Sequence, residues 1–187
     1  MRFTMVRLFW TILLTLEHRG ESITRHTNVK CEALDKSFAE FPVCNLKVLG
    51  RGVIAENMHI KLLKLPVQKI SVNIAVYKKL SGYHPFLFNV TADLCHYLKH
   101  PNPMNLLHYI YTAVKPFSNF NHSCPYNVST NLIYHDIVVK DFVLSDQMFA
   151  KIPYPKGNYM LSIKFATDDV WRIRLNTYFD VDLEKQN

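Results

Sequence analysis

Ile70-Ser71-Val72-Asn73-Ile74-Ala75-Val76-Tyr77 decides the fold. Ile70, Val72, Ile74 and Val76 fall on one parity, and Ser71, Asn73, Ala75 and Tyr77 on the other. A period of two marks a half-buried β-strand, because successive side chains leave the backbone on opposite faces. The same period recurs to either side. Upstream, Val29, Cys31 and Ala33 alternate with polar residues within Thr27–Leu34, then Cys44, Leu46 and Val48 do so, then Met58, Ile60 and Leu62. Downstream, Phe86, Phe88 and Val90 share a face opposite Leu87, Asn89 and Thr91. Further strands are predicted at about Tyr134–Phe142, at Tyr159–Phe165 and at Trp171–Phe179, where Trp171, Ile173, Leu175 and Phe179 lie inward. Gly50-Arg51-Gly52, Ser81-Gly82 and Thr167-Asp168-Asp169 supply turns. Roughly eight short strands with polar turns predict a mainly β chain folded as an antiparallel β-sandwich.

One excursion leaves the sheets, between the fifth and sixth strands. Ala92–Leu98 suits a short helix, ended at His100-Pro101 because a residue before proline avoids the helical region. Asn102-Pro103 offers a cap and a first-turn proline for a second helix. Leu107, Ile110, Tyr111 and Val114 then recur at helical spacing, and Pro116 ends the pattern. Such an apolar face serves ordinary packing or the wall of a cavity equally well.

The amino terminus points to a secretory route. Met1–Arg7 is basic, and Leu8–Leu16 is apolar. That run matches a signal peptide's core of about 7–15 residues and falls short of the roughly 20 needed to span a membrane. Residues 1–22 are therefore expected to be removed, leaving a single soluble domain over 23–187. At about 165 residues this is ample for one buried core. The formal charge is +7, or +6 without the leader, which carries Arg2, Arg7 and Arg19 against Glu17 and Glu21. The excess is diffuse, with no clustered arginines or stacking aromatics of a nucleic-acid module. Cys31, Cys44, Cys95 and Cys124 suit two disulfides in an extracellular protein. Three pairings exist; Cys31–Cys44 and Cys95–Cys124 are expected because each closes a local excursion. Asn89, Asn121 and Asn127 open glycosylation triplets. A glycan on Asn89 would face solvent, which by parity turns Phe86 and Phe88 inward.

Motifs for chemistry are absent. No Gly-x-Ser-x-Gly elbow occurs. His96 and His100 are four apart, but Tyr97 and Lys99 break the His-Glu-x-x-His pattern and Pro101 disturbs its end. Exposed histidines on a short helix are the simpler reading. The cysteine spacings match no zinc site. Asp168-Asp169 are adjacent turn residues, whereas glycosidase chemistry holds two carboxyls apart across a cleft. No enzyme, metal or cofactor is expected.

Thr27-Asn28-Val29-Lys30-Cys31-Glu32, Val43-Cys44-Asn45-Leu46-Lys47 and Gly50-Arg51-Gly52 resemble the opening of a large insect family of small secreted proteins, catalogued as a domain of unknown function and related to the CheB chemosensory proteins. Tyr83–Thr91, Asn121–Asn127 and Gly157-Asn158-Tyr159 continue the resemblance in order, over roughly Thr27 to Val181. The family is in turn similar to the ML lipid-recognition fold of the ganglioside activator and the Niemann–Pick sterol carrier. That resemblance implies an immunoglobulin-like sandwich whose sheets part to admit a lipid, and assigns no ligand residues. The expected function is a secreted, non-enzymatic carrier of a small hydrophobic molecule, a lipid or a pheromone-like compound. Inward parity nominates Ile74, Val76, Phe86, Phe88, Ile110, Val114, Phe165 and Trp171 as cavity lining. The alternative is an extracellular module that modulates a membrane receptor or channel through its surface.

Overall fold

The computed structural model describes residues 22–120, 124–125, 136–145, 148, 152 and 154–183. Among the described residues eight strands form two antiparallel sheets. They are β1 (Ser22–Ala33), β2 (Ala39–Gly50), β3 (Val53–Leu62), β4 (Ser71–Lys79), β5 (Tyr83–Asp93), β6 (Ile137–Val143), β7 (Gly157–Thr167) and β8 (Val170–Leu183). The larger sheet runs β1-β8-β7-β4-β5 and the smaller β2-β3-β6. Between β5 and β6 come helix α1 (Leu94–Lys99), helix α2 (Leu106–Val114) and a 3₁₀ turn (Lys115–Phe117). The fold is thus the expected mainly β sandwich with a helical insertion.

Each sheet buries its alternating apolar residues against the other. Val72 and Ile74 of β4 pack in one cluster with Met58, Ile60 and Leu62 of β3, Val139 and Phe142 of β6 and Ile173 and Leu175 of β8, while Val76 packs with Tyr159, Phe179 and Val181 in a second. The Cys31–Cys44 disulfide joins β1 to β2. These strands belong to different sheets, so the bridge staples the sandwich across its layers rather than linking neighbours within a sheet.

Three of the register shifts bear on the predicted parity. In β5, Ala75 pairs with Asn89 and Val76 with Phe86, leaving Leu87 and Phe88 as two extra residues, with Leu87 at φ +64°. An insertion of two preserves parity, so Phe86 and Phe88 still face inward while Leu87 is exposed. In β1, a register shift between His26 and Asn28 brings Thr24 and His26 into the core. In β8, Phe165 pairs with Ile173 but Ala166 with Trp171, so Arg172 is the bulged residue. That single insertion swaps the faces beyond it.

The second helix begins later than the proline suggests. Asn105 is its cap, accepting from the Leu107 N–H at 2.9 Å. Asn102 instead accepts from the Met104 N–H in the preceding turn. The β7–β8 turn lies where expected, with Asp168 at φ +51° and Asp169 at φ +60°, a left-handed pair that suits a two-residue hairpin. Residues 1–21 of the expected leader, the start of the sixth predicted strand, and Asn121 and Asn127 lie outside the described residues, and Ser22, the last expected leader residue, opens β1.

Candidate functional site

Helix α2 lies over the space between the two sheets and is anchored at both ends. At its start the Tyr97 hydroxyl of α1 meets His108 Nδ1 at 2.9 Å, and the Tyr97 ring packs edge-on against Tyr111. At its end Phe117 packs edge-on against Phe142 of β6. Asn119 then straps the chain to β6: its Oδ1 accepts from the Val138 N–H at 2.8 Å and its Nδ2 donates to the Asp136 carbonyl at 2.7 Å. The Cys95–Cys124 disulfide ties α1 to the chain beyond that strap. The expected second pairing is therefore present, and among the described residues no cysteine is free.

What α2 covers is not solid. Of its inward residues Leu107 is buried, whereas Ile110, Tyr111 and Val114 are only half-buried. Ile110 and Val114 front two apolar cavities of about 140 Å³ and about 110 Å³. The first extends toward Phe38, Val67 and Phe120, with Lys115 and Arg172 among its lining residues. The second extends toward Val76, Phe88, Leu161 and Phe179. Met58, Ile110, Val114, Ile163 and Leu175 belong to both walls, so the two spaces adjoin along the length of the sandwich.

Most of the nominated residues lie at these walls. Ile74 and Phe165 line the first cavity, Val76 and Phe88 the second, and Ile110 and Val114 both. Two nominations need correction. Phe86 faces inward but lines neither space; it packs against Tyr154 and Tyr159 beside the second cavity. Trp171 is 38% exposed on the outer face, with the Lys164 ammonium 4.9 Å from its ring centre. The bulge at Arg172 is the cause, and Arg172 takes the inward direction instead, reaching Asp35 and Thr167.

Sequence reasoning missed the polar residues of the second cavity. Glu56 of β3 is 1% exposed and lines it, as does Thr177 of β8. The Thr177 hydroxyl donates to the carboxyl, 2.9 Å from Oε2 and 3.1 Å from Oε1. His26, fully buried behind them, places Nδ1 3.4 Å from Oε2. Burial pushes the Glu56 carboxyl up to about 7 despite the Thr177 hydrogen bond, and burial pushes His26 down to about 4. The signal for Glu56 was in the alternation: it shares parity with Met58, Ile60 and Leu62. Thr177 likewise shares parity with Ile173, Leu175 and Phe179.

The other nominated features stay at the surface. His96 and His100 are exposed, their ring centres 5.2 Å apart. Among the described residues no three His, Cys, Asp or Glu side chains converge as metal ligands would. Asn89 is exposed on the outer face, where its Oδ1 accepts from Asn73 Nδ2 at 2.8 Å. Among the described residues no helix is long and apolar enough to cross a membrane.

Comparison with known families places one finding beside this geometry. Residues 72–161 match the family described as "Protein of unknown function (DUF1091)". The matched stretch runs from β4 into β7. The DUF1091 stretch thus contains the whole helical insertion and much of both cavity walls. No curated protein matches the chain.

Proposed function

We propose that this protein is a secreted, non-enzymatic carrier that holds a small hydrophobic molecule between its two sheets, beneath α2. The observation that carries this reading is the pair of adjoining apolar cavities, about 140 Å³ and about 110 Å³. Protein interiors ordinarily pack as densely as organic crystals, with few voids larger than a water molecule. At about 24 cal/mol per Å³, space of this extent would cost on the order of 6 kcal/mol if it were sealed and empty; both cavities are part open to solvent, so the actual cost is smaller. A guest recovers it, since each methylene moved from water contributes about 0.8 kcal/mol. An apolar cavity of roughly 150 Å³ is already large enough to bind benzene.

The basic and apolar leader supports secretion, as do the two disulfides, which persist in oxidising compartments. The resemblance to chemosensory proteins and to the ML lipid carriers supports a lipid or pheromone-like guest. Filling the space tests the reading. Ile110→Trp places an indole from α2 into both cavities. We expect the variant to keep its fold by circular dichroism and to lose at least most of its uptake of an apolar fluorescent probe. Undiminished uptake in a folded variant would remove the cavities from the function. In that event the surface module is the reading left, with exposed Leu80, Leu87 and Val90 around edge strand β5 as its contact region.

A further inference from the structure

We propose that Glu56 and Thr177 anchor the polar end of the guest, and that the guest is a single-chain amphiphile ending in an uncharged hydrogen-bonding oxygen such as an alcohol or aldehyde. This rests on the carrier reading and narrows its ligand class.

A carboxyl on the inner face of a strand, among Met58, Ile60 and Leu62, costs stability unless its hydrogen bonds are met. A core that needed only filling would be served better by an apolar side chain. Glu56 is instead placed in the wall of the second cavity, where a bound molecule reaches it. Thr177 orients it from the opposite sheet by donating one proton to the carboxyl. His26 backs it from β1, and neither ring nitrogen of His26 has a well-formed hydrogen bond. Thr177 uses only part of the carboxyl's hydrogen-bonding capacity, and the rest is left for a second partner.

The charges around it select the head group. Among the described residues no Lys or Arg lines the second cavity, so there a fatty-acid anion would find no counter-charge and would face Glu56 itself. An alkylammonium would form an ion pair out of water, whose desolvation penalty offsets much of the attraction. An uncharged oxygen avoids both costs. Burial that raises the carboxyl to about 7 agrees with this, because the protonated acid donates to a carbonyl or hydroxyl oxygen. The tail then runs past Met58, Ile110 and Val114 into the entirely apolar part of the first cavity.

The test measures displacement of N-phenylnaphthylamine from the full secreted protein by dodecanol, dodecanal, dodecane, dodecanoate and dodecylamine at neutral pH. Dodecanol and dodecanal are expected to bind about tenfold more tightly than dodecane, the worth of one net hydrogen bond in a dry site. Glu56→Leu should abolish that preference while leaving dodecane binding equal or stronger. Thr177→Val, close in shape, should weaken the preference and provides the second variant if Glu56→Leu fails to fold. Equal affinity for dodecanol and dodecane overturns the anchor alone, with the carrier intact. A preference that survives both substitutions, or that favours dodecylamine or dodecanoate, also overturns it. Failure of every compound, dodecane included, overturns the carrier reading itself.

Discussion

Glu56 and His26 are two buried titratable groups whose pH dependences oppose each other. Glu56 keeps its proton in the fold up to about 7, against an ordinary 4.5. Its contribution to stability is full below 4.5 and is lost as pH rises through 7. His26 is held neutral down to about 4, against an ordinary 6.5. Its contribution is full above 6.5 and is lost as pH falls through 4. Between 4.5 and 6.5 the slopes cancel, and the stability of the native protein is expected to be nearly flat there. Glu56→Gln removes one slope, so stability should rise from pH 4 to 6.5, by at most about 1.4 kcal/mol per pH unit. His26→Leu removes the other, so stability should fall from pH 4.5 to 7. Urea unfolding across that range reads both signs; the same slope in both variants would contradict the assignment. Trp171 provides a second residue-scale check. On the outer face and 38% exposed, with the Lys164 ammonium over its ring, it should cost no more than about 1 kcal/mol when changed to Ala, with ligand uptake intact. A buried Phe or Trp lost from the core costs about 3–5 kcal/mol.

At the scale of elements, the two disulfides constrain different motions. Cys31–Cys44 closes a separation of 13 residues across the sheets, and Cys95–Cys124 closes one of 29 around the helical insertion. Chain entropy assigns about 3 kcal/mol to the first and about 3.5 kcal/mol to the second. Their energies are similar but their locations are not. Replacing Cys95 and Cys124 together by Ala should speed hydrogen exchange over α1 and α2 while leaving β7 and β8 protected. Uniform loss of protection would mean that the insertion is not a separate unit. This is also where sequence reading succeeded and failed. Alternation located all eight strands because the inner faces really are apolar, as in Val72, Ile74 and Val76. It misplaced Trp171 because a one-residue bulge at Arg172 leaves no mark in an alternating pattern. It survived the larger bulge at Leu87-Phe88 because two inserted residues restore the parity. The start of α2 slipped by three residues because Asn102 and Asn105 are both plausible caps, and only packing chooses between them. Glu56 and Thr177 escaped because a polar residue at an inward position looks like the end of a strand.

For the whole molecule, the central quantity is the space left between two sheets by a helix that bridges them without filling the gap. Three features keep that space from collapsing: the inter-sheet disulfide, the Asn119 strap onto β6 and the Tyr97–His108 contact that fixes α2 on α1. A rigid frame with apolar walls is the arrangement a carrier needs, since a pre-formed site avoids the cost of ordering side chains on binding. The most direct measurement is native mass spectrometry of the protein secreted by eukaryotic cells, followed by organic extraction and analysis of the extract. We expect a stoichiometric single-chain passenger with an oxygen at one end. A protein that emerges without a passenger, and also refuses dodecanol and dodecane added in solution, would contradict that expectation.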